Sequence, residues 1–291
     1  MRFSFNFYSL FFLLFCLTSC GQDNKNSDAV EKPIYTLKIQ SANPYEIYLN
    51  GMPVEKYYSN ESSSSEIPLN DFILEGGNQL LEVVLLPNKD KTEVDKLGMD
   101  NFEVKLYKYS EGLSNISNEN GLLLTSIDFK NELKELPIIK KTINIDLEVS
   151  YTINGWKNSV NLKNENQETL LKEVLEKYEQ VRESINQGDF EGFEKLYSKK
   201  NIETYESYYN NQEVIKEDKN WMRERIVKSK HNMLPITDYK LIYYSNGKVI
   251  ALENKNRESP LIANINNFEE VYSILLHRPK AGAPLEKLVL L

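Results

Sequence analysis

Two histidines, two cysteines and 43 carboxylates are what this 291-residue sequence offers for proton transfer, nucleophilic attack or metal binding. His277 ends an apolar run, Leu275-Leu276-His277-Arg278-Pro279. An imidazole there serves either as a general base facing a pocket or as a polar cap at a strand edge before the proline turn; the strand-edge role is the reading adopted. His231, in Lys230-His231-Asn232, belongs to a polar helix end. There is no HExxH, no glycine-rich phosphate loop and no GxSxG elbow. No metal and no nucleotide or other cofactor is therefore expected. Residues 88–100 (NKDKTEVDKLGMD) carry Asp90, Glu93, Asp95 and Asp100, but without the spacing and glycine of an EF-hand they read as a solvated loop. Half of the 18 tyrosines fall between Tyr178 and Tyr272. Amphipathic rings pack sheet faces and also line ligand pockets. Tyr205, Tyr208, Trp221 and Tyr243, with His277 and Arg278, are the candidate binding residues.

Both cysteines, Cys16 and Cys20, lie at the N-terminus, and none follows. They come after Arg2 and an aromatic and aliphatic run that is cleanest from Leu10 to Leu17, the layout of a secretory signal peptide. A bilayer crossing needs about 20 apolar residues, and Ser4, Asn6 and Ser9 interrupt this run. At its end, Leu17-Thr18-Ser19-Cys20 resembles the lipobox of bacterial lipoproteins. The resemblance implies cleavage between Ser19 and Cys20, diacylglycerol on the Cys20 sulfur and, usually, palmitate-like acylation of the new amine. Cys16 leaves with the signal and Cys20 becomes a thioether, so the mature chain has no thiol for a disulfide, a nucleophile or a metal. One acyl chain binds a membrane reversibly, whereas two or three make a lasting anchor. The implied location is the cell envelope, and Gly21, in place of an aspartate after the cysteine, favours the outer membrane in a Gram-negative cell.

The net charge of −8 becomes more negative by one when Arg2 is removed with the signal. Clustered Lys and Arg are what phosphate backbones require, and the basic clusters here are pairs such as Lys140-Lys141 and Lys199-Lys200. Nucleic acid is thus excluded as a partner, leaving the membrane, reached through the N-terminal lipid, and a protein or a glycan.

The elements that must position these residues fall into two sets. Residues 1–19 are the signal, and 20–32 form a polar tether with almost nothing to bury. From 33 to 155 short alternating runs predict strands: Tyr35–Ile39, Ile47–Leu49 with an Asn50-Gly51 turn, a fully buried Leu80–Leu86, Phe102–Tyr107 and Thr142–Ile153. The expected fold of this part is an all-β sandwich, and "IYLNGMPV" to "IPLNDFILEGGNQLLEVVLLP" resembles Ig-like and galactose-binding-like modules of bacterial surface proteins. Residues 156–166 form a polar linker. In 167–291, Leu171, Val174, Leu175, Tyr178, Val181 and Ile185 recur at helical spacing, with Asn164 or Asn166 to cap and Gly188 to stop. Shorter helices are expected around Phe190–Tyr197, Tyr205–Tyr209 and Trp221–Ile226. Period-two runs follow, Tyr239–Tyr244, Val249–Leu252, Tyr272–Leu276 and Leu285–Leu290, giving an α+β domain. Its opening, "LLKEVLEKYEQVRESINQGDFEGFEKLYS", resembles the entry helices of NTF2-like domains, which implies a cone-shaped pocket. The sequence thus describes a multidomain, lipid-anchored envelope protein that works by binding. The rival readings are an enzyme or small-ligand binder using an NTF2-like cavity, the enzyme with an acid or His277 as proton carrier, and a structural or assembly component of the envelope.

Overall fold

The computed structural model describes residues 31–110 and 121–288. Ser19, Cys20 and the rest of the signal lie outside the described residues. Eight strands open the fold: β1 (Ile34–Ser41), β2 (Tyr45–Leu49), β3 (Met52–Tyr57), β4 (Ser63–Pro68), β5 (Gly77–Leu85), β6 (Glu103–Tyr109), β7 (Leu122–Asp128) and β8 (Ile139–Leu147). They form two antiparallel sheets, ordered β4-β1-β6-β7 and β3-β2-β5-β8.

Side chains alternate across a strand, so each strand sends one row inward. Leu37, Ile39, Val104 and Leu106 of the first sheet and Ile47, Leu49, Leu81 and Val83 of the second enter one apolar cluster. At Asn50-Gly51 both φ angles are positive, 54° and 75°, as a type I′ turn demands. That turn pairs Leu49 with Met52 and fixes the register of β2 on β3. Two expectations change here. Leu80 is 42% exposed while its neighbour Leu81 is fully buried, because period two sets them on opposite faces and only one is covered. The acidic segment 88–100 also ends in a helical turn, α1 (Lys96–Asp100), capped by Asp95 Oδ1 accepting from the Gly98 N–H at 2.9 Å.

Three helices follow. α2 (Gln167–Gln187) starts where Asn166 accepts from the Thr169 N–H at 3.0 Å and stops at Gly188 in the left-handed conformation. α3 (Phe190–Ser207), capped by Asp189, runs through Tyr205. The short helices expected on either side of residue 200 are one, since nothing between Phe193 and Ser207 breaks it. Asn211 caps α4 (Gln212–Ser229). The remaining strands are β9 (Lys240–Tyr244), β10 (Val249–Glu253), the hairpin β11 (Ile262–Ile265) and β12 (Phe268–Val271), then β13 (Leu275–His277) and β14 (Glu286–Leu288). β9, β10, β13 and β14 make a third antiparallel sheet, ordered β14-β13-β10-β9.

β10 is buried at all five positions, the pattern of a strand covered on both faces. Ile250 and Leu252, with Leu276 of β13, pack among Val174, Tyr178 and Phe193 of the helices. Val249 and Ala251, with Leu275 and Tyr244, belong to the cluster of the first two sheets. The third sheet is therefore a shared layer, and all described residues fall in one compact unit. In coarse terms the architecture is α+β: two antiparallel sheets, three helices and further antiparallel strands.

Candidate functional site

The richest set of polar side chains lies where β2 and β3 meet β9 and β10. Because Tyr45, Ile47 and Leu49 of β2 point to the core, Glu46 and Tyr48 point away from it. Glu46 accepts hydrogen bonds from Tyr48 (2.7 Å), Tyr58 (2.6 Å) and Arg257 (2.6 Å). The Arg257 guanidinium also stands 5.0 Å from the Tyr58 ring centroid. Beside this, Glu253, buried at the end of β10, takes hydrogen bonds from both the Tyr244 hydroxyl and the Lys56 ammonium. Lys56 lies 4.7 Å from the Tyr244 ring centroid. Burial first, and then the adjacent carboxylates, push the phenols of Tyr48, Tyr58 and Tyr244 far above their ordinary range. All three stay protonated and act as donors.

These groups line a cleft of about 650 Å³, a size that accommodates small ligands. Glu46 has a donor on each carboxylate oxygen, whereas Glu253 takes both of its hydrogen bonds on Oε1. Glu82 at the rim is paired with Lys140 at 2.5 Å. Lys163, Lys240 and Lys255 also line the cleft and form no salt bridge among the described residues. Lys163 sits 5.7 Å from the centroid of Tyr243, whose hydroxyl donates to Gln167. On a molecule of net charge −8, this is a local concentration of unpaired positive charge between tyrosine rings. Its chemistry suits an anionic, polar ligand.

The residues singled out from sequence occupy four places. Tyr243 is in this cleft. Tyr205, Tyr208 and Trp221 come together along a groove of about 420 Å³ between α3 and α4. There the Tyr205 hydroxyl donates to Asp218 at 2.8 Å, and Trp221, 55% exposed, has the Arg225 guanidinium 4.6 Å from its ring. Arg278 is buried, its guanidinium held by Glu165 (2.8 and 2.9 Å) and Glu173 (3.2 and 2.7 Å). His277 is buried too and shares a 2.7 Å hydrogen bond between Nδ1 and the hydroxyl of Ser159, at the wall of a cleft of about 800 Å³. Glu46, Tyr48, Lys56, Tyr58, Glu253 and Arg257 had no local signal in the sequence beyond the outward phase of β2, because the links that join them into one site, Lys56 to Glu253 and Arg257 to Glu46, span about 200 residues along the chain. Among the described residues no group of three or more His, Cys, Asp or Glu is arranged to hold a metal ion, and no helix is long and apolar enough to cross a membrane.

The Ser159 bond gives His277 a structural task, tying the segment after β8 to the third sheet. Burial lowers its pKa from the ordinary value to about 4, with Glu286 opposing that shift and Lys199 adding to it. The imidazole is therefore neutral in the folded protein at neutral pH. Its neutrality contributes stability above the unfolded value of about 6.5, and this is lost as pH falls toward 4. His277→Asn, which keeps a polar group near Ser159 but cannot titrate, is expected to flatten the stability difference between pH 7 and pH 4.5, and to cost about 1 kcal/mol at pH 7. Urea unfolding at both pH values checks this. An unchanged pH dependence would mean that His277 is not the group responsible.

A scan against protein-family models and searches of curated proteins and of solved structures each found no match to this chain.

Proposed function

We propose that this chain is a lipid-anchored protein of the bacterial envelope that works by binding, and that the tyrosine- and lysine-lined cleft is its ligand site. The observation that carries the binding assignment is the set Lys163, Lys240 and Lys255, three ammonium groups without carboxylate partners among the described residues, around about 650 Å³ of space. Lys163, Lys240 and Lys255 are exposed around the cleft, so their attraction for an anionic ligand is the salt-sensitive kind of a solvated charge, and phenol faces and hydroxyls suit the alternating apolar and polar surface of a sugar ring. The ligand class is accordingly an acidic saccharide. Donors on both oxygens of Glu46 favour this reading over catalysis by that carboxylate. Titration with an oligogalacturonate should show binding that weakens as salt is raised. The matching neutral oligosaccharide should not bind. The triple variant Lys163→Ala, Lys240→Ala, Lys255→Ala should lose about tenfold in affinity or more, about 1.4 kcal/mol. Equal binding of the neutral and acidic sugars, or none of either, would sink the assignment.

The anchor is proposed from the Leu17-Thr18-Ser19-Cys20 sequence. Cys20→Ala removes the sole acyl acceptor and is expected to leave an uncleaved, unlipidated precursor. Mass spectrometry of the mature N-terminus decides the matter: a wild-type chain starting at any residue other than an acylated Cys20 would refute it. We further propose that the first two sheets follow the plan of Ig-like or galactose-binding-like sandwiches and that α2 to β14 follow an NTF2-like plan. The order of helices before antiparallel strands supports the second of these. Outer-membrane placement in a Gram-negative cell belongs to the same proposal.

A further inference from the structure

We propose that the groove between α3 and α4 is the membrane-facing side of the protein and receives an acyl chain of a phospholipid from the membrane that carries it. The inference rests on the anchor reading above. Its first support is where the chain enters the fold. The side-chain amide of Asn70, fully buried, donates to the Pro33 carbonyl at 3.0 Å and to the Ser207 carbonyl at 2.9 Å. Pro33 is where the tether ends, and Ser207 is flanked by the groove residues Thr204, Tyr205 and Tyr208. The anchored segment thus joins the protein beside the mouth of the groove. Gly21 to Lys32 is 12 residues; it spans at most about 40 Å when fully extended and about 20 Å as a flexible coil. A tether of this length holds its attachment point within about 40 Å of the lipid surface.

The second support is the chemistry of the groove. Its floor is made by Phe190, Phe193 and Met222, and Val214, 40% exposed, lies along α4 with Trp221 and Met222 at helical spacing. The volume of about 420 Å³ is unfilled by any side chain of the described residues. Tryptophan and tyrosine at the rim are the side chains that favour the boundary between lipid tails and water. Lys200 reaches the same groove and forms no salt bridge among the described residues. Crowding by the surrounding protein lowers its pKa, against the pull of Asp71 and Asp218. A lipid phosphate would give this ammonium a closer anion than Asp71 or Asp218, with neither of which it forms a salt bridge, while the acyl chain covers the apolar side of the groove.

The sequence contains two tryptophans, Trp156 and Trp221; Trp156 is buried and Trp221 exposed. The experiment uses the full mature lipoprotein on vesicles of phosphatidylethanolamine and phosphatidylglycerol carrying mid-chain bromine, with flotation measured alongside emission. In Trp156→Phe the remaining Trp221 emission should fall about twofold or more on brominated vesicles, since bromine quenches only at close range and Trp221 is placed at the lipid boundary. In Trp221→Phe the remaining emission should be little changed. Met222→Glu, in the Trp156→Phe background, puts a carboxylate on the groove floor and should restore most of the emission while flotation persists. Lys200→Ala, a milder change, should reduce quenching in phosphatidylglycerol vesicles. Protein that fails to float refutes the anchor reading. Protein that floats with Trp221 unquenched, or quenched equally in Met222→Glu and Lys200→Ala, overturns the groove proposal and leaves the anchor reading standing.

Discussion

Glu253→Ala is expected to lower folding stability by about 3–5 kcal/mol, the range for removing one partner from a buried ion pair. The substitution leaves the Lys56 ammonium, 14% exposed, without its counter-charge and with the Tyr244 hydroxyl oxygen as its remaining acceptor, and it leaves the buried Tyr244 O–H without one. The lost attraction is a minor part of that cost. Most of it is the desolvation of groups that the fold has already removed from water. Two variants distinguish these contributions. Lys56→Met with Glu253→Leu removes both charges and should recover most of the stability, so the coupling energy between the two sites should be several times that of an exposed pair. Lys56 comes from the first pair of sheets and Glu253 from the third. The loss should therefore appear in a single unfolding transition that carries both strand and helix signals. Denaturation followed by circular dichroism tests this, and a Glu253→Ala loss below about 1 kcal/mol, the level of a surface pair, would show that the network is not closed to water.

Arg278→Ala should cost about 3 kcal/mol, at the lower end of the same range because Glu165 and Glu173 keep side-chain exposures of 28% and 27%. Removing the guanidinium strips the two carboxylates of a shared bidentate partner and frees the Ala283 carbonyl. The pH dependence adds a second signature. Burial by itself would raise the Glu173 carboxyl, but Arg278 and the Leu285 N–H, at 2.9 Å, hold it below its ordinary value. A carboxyl whose folded pKa is depressed contributes stability that is fully present above its unfolded pKa, about 4.3, and lost as pH falls through the lower folded value. Wild type should therefore lose stability below about pH 4.3 more steeply than Arg278→Ala, whose Glu173 carboxyl is no longer held down. Urea midpoints measured from pH 6 to pH 3 test this. Parallel curves for the two proteins would contradict the assignment of Arg278 as the group that depresses Glu173.

What the sequence determined by itself was local. The strand phases of β1, β2 and β6, the Asn50-Gly51 turn, and the start and stop of α2 at Asn166 and Gly188 all follow from period and capping chemistry within a few residues. The order of strands, helices and strands follows from the same signals. The helix boundary near residue 200 did not, because the tyrosines there suggested a second helix where an unbroken backbone continues α3. The convergence of Tyr205, Tyr208 and Trp221 was anticipated only as a set of amphipathic rings. It took the antiparallel approach of α3 and α4 to set them around one groove. The paired networks of Glu46 and Glu253 could not be anticipated at all: Arg257 and Glu46, like Lys56 and Glu253, are joined across about 200 residues, and no local pattern encodes which charges will meet. The continuous apolar run of β10 was legible as a strand, but that its two faces would be covered by different layers, helices on one side and the first two sheets on the other, was a decision of tertiary packing. Burying Val249 and Ala251 in one apolar cluster and Ile250 and Leu252 in the other makes β10 the strand that the two clusters share, because successive side chains leave a strand on opposite faces.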